Sequence, residues 1–222
     1  MSLTLYSHPL SSFCQKVLVA LYELETPFTA VTVDLSNPAA RAELAKLWPP
    51  ARFPVLHDAA NDRAVAESTI IIEYLVQRSL GPAELLPSDA DAALMVRSRD
   101  RLFDIDIHVP MQKIVNDIRR PEAQRDPLGV AAARAQIRTG YRMVEAHVAQ
   151  GPWACGEAFT LADCAAAPAL AYADACEPIG GDLPRTAAYL ARLAARPSFA
   201  RVLREAAPFL KYFPFQATFM KR

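Results

Sequence analysis

Residues 3–21 read Leu-Thr-Leu-Tyr-Ser-His-Pro-Leu-Ser-Ser-Phe-Cys-Gln-Lys-Val-Leu-Val-Ala-Leu, and the fold follows from how this stretch changes character midway. Leu3 to Leu5 form a short apolar run around the β-branched Thr4, which predicts a buried strand. His8-Pro9 ends it, because Pro9 has no N–H to give to a sheet ladder. From Phe13 onward Val17, Leu18, Leu21 and Leu24 fall at helical spacing. The hydroxyl pair Ser11-Ser12 stands between strand and helix, over the open N–H groups of a helix start. Such a start stabilises negative charge by about 0.3–1 kcal/mol when exposed. An anion, or a thiolate, is expected there.

Moving outward, Phe28 to Val33 reads as a second strand. Ser36-Asn37-Pro38 opens a helix over 39–47, with Pro38 at its first position. Phe53-Pro54-Val55-Leu56 is strand-like with a proline inside, so Pro54 marks an edge, a bulge or a cis bond. Arg63 to Ala66 is a return strand, and Glu67-Ser68 opens a helix whose apolar positions are Ile70, Ile71, Tyr74 and Leu75. The order is βαβ, then ββα. Gly81-Pro82 and Pro87 mark a linker. The expected boundaries are therefore an α/β domain over 1–80, a linker over 81–88 and an all-helical domain over 89–222.

In the second half, Asp89 to Arg119 is a long helical stretch with a kink expected at Pro110. A helix over 130–150 carries one apolar stripe: Val130, Ala133, Ile137, Tyr141, Val144 and Val148. Thr160 caps the next helix while Asp163 reaches back to it, a capping box with Asp in place of Glu; Phe159 and Cys164 occupy the positions of a hydrophobic staple. Helices over 184–196 and 198–207 follow. The aromatic, proline-broken tail over 208–215 must lie on something apolar.

The chain has 222 residues, 52% hydrophobic, with 24 basic residues against 24 acidic ones. That balance gives no electrostatic case for nucleic acid or an anionic membrane. No apolar run reaches the roughly 18 residues of a membrane span, and Met-Ser-Leu-Thr is not a signal segment, so a cytoplasmic protein is expected. Cys14, Cys155, Cys164 and Cys176 form no C-x-x-C pair and have no His at zinc spacing, which favours free thiols over a metal or disulfides. Cys14 reads as a buried structural thiol. Asp104 and His108 stand four apart with no third ligand, so they read as a solvated or substrate-lining pair rather than a metal site. Phe103, Ile107 and Met111 share a face that is either core or a pocket wall.

The Ser11-Ser12 turn, Phe53-Pro54-Val55, Glu67-Ser68 and the Phe159 to Asp163 capping unit, in this order and ahead of a helical second half, resemble the soluble glutathione S-transferases over nearly the whole chain. The similarity is to serine-type, theta- or zeta-like bacterial members. It implies a thioredoxin-like N-terminal domain that binds glutathione as co-substrate, a helical domain that shapes the second-substrate site, and a homodimer. By the same resemblance, Ser11 is the hydroxyl that activates the glutathione thiol, with Ser12 the alternative. Pro54 is the cis-proline beside the tripeptide, and the Phe53 backbone pairs with its cysteinyl part. Glu67 and Ser68 hold the γ-glutamyl group, and Arg52 reaches a carboxylate. The activity implied is transfer of the glutathione thiolate to a small, mostly apolar electrophile. A glutathione-dependent isomerase of the maleylacetoacetate-isomerase kind and a non-catalytic binding module are the other readings. The turn lacks the Cys-Pro-Phe of omega-type thiol transferases and the cysteine of beta-type enzymes.

Overall fold

The first strand, β1, is Leu3–Ser7 and the helix after it, α1, is Ser12–Glu23, in a computed structural model that describes residues 3–78 and 83–215. Then come β2 (Thr29–Thr32), α2 (Pro38–Leu47), β3 (Val55–Asp58), β4 (Arg63–Ala66) and α3 (Ser68–Arg78). The strands form one sheet in the order β2-β1-β3-β4. β1 and β2 are parallel; β3 is antiparallel to both β1 and β4. This is the βαβ–ββα order read from the sequence. The chain divides by its contacts into two units, Met1–Leu85 and Leu86–Arg222. Of the linker expected over 81–88, residues 81 and 82 lie outside the described residues.

Local chemistry explains the boundaries. Asn37 accepts the N–H groups of Ala39 and Ala40, with Pro38 at the first helical position, where a missing N–H costs nothing. β1 alternates buried and half-buried residues, so its two faces meet different layers. Tyr6 lies on the face packed with Val55, Val33 and Leu44 of α2. Leu5 and Leu56 are fully buried on the other, the side of the mutually packed α1 and α3. In α3 the buried positions are Ile71, Ile72, Tyr74 and Leu75, whereas Ile70 is 54% exposed. The apolar stripe thus includes Ile72 instead of Ile70, because a helix that starts at Ser68 turns residues 71, 72 and 75 to one side.

The second unit is all helical among its described residues: α4 (Ala90–Arg101), a π-helical segment (Leu102–His108), α5 (Val109–Ile118), α6 (Pro127–His147), α7 (Leu161–Cys176), α8 (Pro184–Ala195) and α9 (Pro197–Ala206), with short 3-10 turns between and after. The irregularity expected at Pro110 takes the form of the π segment just before it, in which the Val109 N–H reaches back to the Asp104 carbonyl. Pro110 removes one helical N–H and its ring crowds the preceding turn; a wider π turn makes room. The second long helix starts at Pro127, earlier than its apolar stripe suggested, because Asp126 caps it by accepting the Gly129 N–H at 2.8 Å.

α7 is the centre of this unit. Every residue from Leu161 to Asp174 is buried, and α4, the π segment, α5 and α8 pack around it. Its seven buried alanines let those helices approach closely. The capping box is present, and Asp163 does more than cap. Its carboxylate accepts the Thr160 N–H (2.8 Å) and hydroxyl (3.1 Å), the Ala154 N–H (2.8 Å) and the Tyr189 hydroxyl (2.6 Å). The aromatic tail rests on the same helix, with Phe213 edge-on to Tyr172 at 5.0 Å and Phe215 beside Phe213.

Asp104 and His108 are 4% and 0% exposed, so they are not a solvated pair. Asp104 is ion-paired with Arg101 on the turn before it. Phe103, Ile107 and Met111 are likewise buried, at 1%, 0% and 3%.

Candidate functional site

The strand register brings three separate segments to one end of the sheet. Tyr6 stands opposite Val55, and Val55 opposite Ala66. Continuing each segment one residue past these pairs leads to Ser7, Pro54 and Glu67 at that end. α1 and α3 both start just beyond that end, at Ser12 and Ser68, so two positive helix termini open there.

The turn from β1 into α1 is held by its own polar groups. The Ser11 N–H donates to the His8 carbonyl at 2.9 Å, and the Leu10 N–H to His8 Nδ1 at 3.2 Å. Nδ1 is therefore an acceptor, which puts the proton of neutral His8 on Nε2. Burial lowers the His8 pKa, against the raising effect of Asp34. The His8 ring stacks on Phe53 with centroids 6.0 Å apart, tying this turn to the segment before β3.

Ser11 is the N-cap of α1: its hydroxyl oxygen accepts the Cys14 N–H at 3.3 Å. A serine hydroxyl has two lone pairs and one proton; capping uses a lone pair, and the proton, which faces the Cys14 thiol in this structure, must turn outward to reach a bound group. Ser11 is partly exposed, whereas Ser12 is 5% exposed, the first residue of the helix. Cys14 is fully buried, and burial pushes its thiol up to about 12 despite hydrogen bonds from the Ser11 side chain and the His8 backbone. A thiol so enclosed is neither ionised nor reachable near neutral pH. Iodoacetamide at pH 8 should leave Cys14 unmodified in the native protein, read by peptide mass spectrometry; labelling at the rate of an exposed cysteine sinks the structural assignment.

On the second segment, the Phe53-Pro54 peptide bond is cis, Phe53 is half-buried and Arg52 is exposed. Past Val55 the β3 ladder stops, since Pro54 carries no N–H. On the third, Glu67 has φ +69° and is exposed, while Ser68 is 6% exposed. The Glu67 carbonyl accepts the Ile71 N–H at 2.9 Å, so Glu67 ends β4 and begins α3 in one residue. A non-glycine residue held left-handed costs about 1–3 kcal/mol, and such strain clusters where a side chain must be aimed.

Three polar residues to which the sequence pattern gives no role stand behind this surface. His8 is one. Gln15 and Lys16 are the others, both 0% exposed on α1. Their neighbours Val17 and Leu18 carry the helical stripe, and nothing in the local pattern distinguishes an enclosed polar pair from an exposed one.

In the helical unit, a cavity of about 510 Å3 is lined by the apolar Ile114, Ile118, Pro127, Val130 and Phe215 and by the charged Asp117, Glu122, Arg125 and Arg134. Arg134 is held by Glu177 at 2.7 Å. Among the described residues no group of three or more His, Cys, Asp or Glu is placed to hold a metal, and no helix is long and apolar enough to cross a membrane.

Residues 5–83 match the family described as glutathione S-transferase, N-terminal domain, and residues 127–211 match glutathione S-transferase, C-terminal domain. The chain is 40% identical over 79 residues to protein URE2 of Meyerozyma guilliermondii, a match covering 35% of the chain and 26% of that protein. It resembles the crystal structure of a glutathione S-transferase from Methylobacillus flagellatus with GSH bound, at TM-score 0.82 and 27% identity over 90% of this chain and 98% of that one. It also resembles one from Methylobacterium radiotolerans in complex with glutathione sulfonate, at TM-score 0.78 and 30% identity, covering 91% and 94%.

Proposed function

The chain belongs to the glutathione S-transferase family, and we propose that it transfers the glutathione thiolate to small, mostly apolar electrophiles, with Ser11 as the activating hydroxyl. The observation that carries this reading is the meeting of the Ser11 turn, cis Phe53-Pro54 and Glu67-Ser68 at one end of the sheet. Each group has chemical work to do there. Glu67 takes the glutathione ammonium, and the Ser68 hydroxyl with the open N–H groups of α3 takes the α-carboxylate. The Phe53 backbone, beyond the last ladder bond of β3, pairs with the cysteinyl residue. Arg52 is exposed and long enough to meet a carboxylate at the tripeptide's edge.

This pose aims the sulfur at the start of α1. A free thiol has a pKa of about 8.5, so little is ionised at neutral pH. The Ser11 O–H and the positive end of α1 favour the thiolate, which is the nucleophile. Ser11 donates a hydrogen bond and forms no covalent intermediate. The partial exposure of Ser11 against the burial of Ser12 supports Ser11 in this role. The homodimer is part of the proposal, to be read from the solution mass, as is the cytoplasmic setting.

Millimolar glutathione should raise the melting temperature, since a ligand bound only by the native state stabilises it. An aryl halide, an epoxide and an enone should then each be tested for turnover. No shift in melting temperature removes the glutathione site. A shift without any turnover favours the binding module, and turnover of a cis-diketo acid alone favours the isomerase.

A further inference from the structure

We propose that Gln15 and Lys16, adjacent on α1, are positioning residues that each hold one half of the glutathione site: Gln15 the thiol-activating turn, Lys16 the carboxylate-binding start of α3. The proposal rests on the glutathione reading above. Gln15 Nε2 donates to the Pro9 carbonyl at 2.8 Å, two residues before Ser11. Lys16 Nζ donates to Thr69 Oγ1 at 2.9 Å, and Thr69 directly follows Ser68. Both side chains are 0% exposed, and the five residues after them, Val17 to Leu21, are buried and apolar. A helix that needed only to pack would carry apolar residues at 15 and 16 too, because a buried amide or ammonium is costly unless it is bonded. Consecutive residues on a helix point about 100° apart, so the pair reaches two different segments from one rigid element. One side chain ties the Pro9 turn to α1, and the other ties the α3 start to it.

The two halves do different things, so the two losses should separate. Calorimetric titration with glutathione at pH 6 gives Kd, and thiolate absorbance against pH gives the ionisation of the bound thiol; neither needs turnover. Lys16→Met should raise Kd about tenfold, with the bound thiol's pKa unmoved, and Lys16→Arg should restore Kd to within about threefold. Gln15→Met should raise the bound thiol's pKa by about half a unit or more, with Kd within about threefold. Thr69→Val removes the acceptor of Lys16 while keeping the lysine; it should weaken binding in the same sense as Lys16→Met, and it carries that arm should Lys16→Met fail to fold. The proposal is overturned if the variants lower the melting temperature while Kd and thiol pKa stay at wild-type values, or if both move both quantities alike. Absence of glutathione binding by the wild-type protein instead removes the reading beneath it, before any variant is made.

Discussion

Ser11→Ala is expected to lower kcat/KM for glutathione transfer at pH 6.5 by about 10- to 100-fold, and the deficit should shrink as pH rises. A hydrogen bond to a charged group contributes about 1.5–3 kcal/mol, and one pKa unit is about 1.4 kcal/mol. Removing the Ser11 hydroxyl should therefore raise the bound thiol's pKa by about one to two units. The sign follows from which form reacts. Below both pKa values, each whole step by which the thiol's pKa rises cuts the thiolate fraction, and so the rate, about tenfold. Above both, the thiol is ionised with or without the serine, and the variants converge. The same substitution removes the cap on the Cys14 N–H, for about 1 kcal/mol of stability and a few degrees of melting temperature. Glutathione affinity at low pH should hardly change, because the γ-glutamyl contacts belong to Glu67 and Ser68. Ser12→Ala should leave the pH profile in place; if it moves the profile and Ser11→Ala does not, the roles of the two serines are exchanged.

Asp163→Ala should be the most destabilising change in the helical unit, costing about 3–5 kcal/mol. A helix cap alone is worth about 0.5–2 kcal/mol. Asp163 also accepts the Ala154 N–H and the Tyr189 hydroxyl while being 0% exposed, so its removal strands buried donors from three segments. Each stranded donor costs about 1–3 kcal/mol, partly recovered where the structure relaxes or water enters. At about 2–4 °C per kcal/mol for a chain of this size, the melting temperature should drop by roughly 6–20 °C. Chemical denaturation of Asp163→Ala and of Tyr189→Phe, which loses one of the four bonds, checks the account. A loss below about 1 kcal/mol for Asp163→Ala reduces the residue to an ordinary cap. Activity per folded molecule should be nearly unchanged, since Asp163 touches no group of the proposed site.

What could be read from the sequence was local chemistry. Pro9 ending β1, Asn37-Pro38 opening α2 and Thr160 with Asp163 opening α7 each state a boundary within four residues, and each stands where it was expected. Pro54 left an edge, a bulge or a cis bond open, and the bond is cis. What stayed hidden depends on neighbours distant in sequence. The burial of Asp104 and His108 comes from the π segment packing on α7, whose alanines admit a close approach that no pattern around residue 104 announces. Ile70 and Ile72 are indistinguishable until the start of α3 is fixed to one residue. Gln15 and Lys16 show the same limit at the site itself. Their hydrogen-bond partners, Pro9 and Thr69, lie 6 and 53 residues away, and only the packing of α1 beside α3 reveals the second. The groups proposed to touch glutathione sit on turns and helix starts, where short motifs are informative. The residues that hold those groups in place do not.

The most direct test is a crystal structure of the protein soaked with glutathione. The sulfur should lie within about 3.5 Å of Ser11 Oγ, with the γ-glutamyl carboxylate on Ser68 and the cysteinyl backbone on Phe53. A tripeptide bound with its sulfur away from Ser11, or a sheet end filled by the protein's own side chains, contradicts the account.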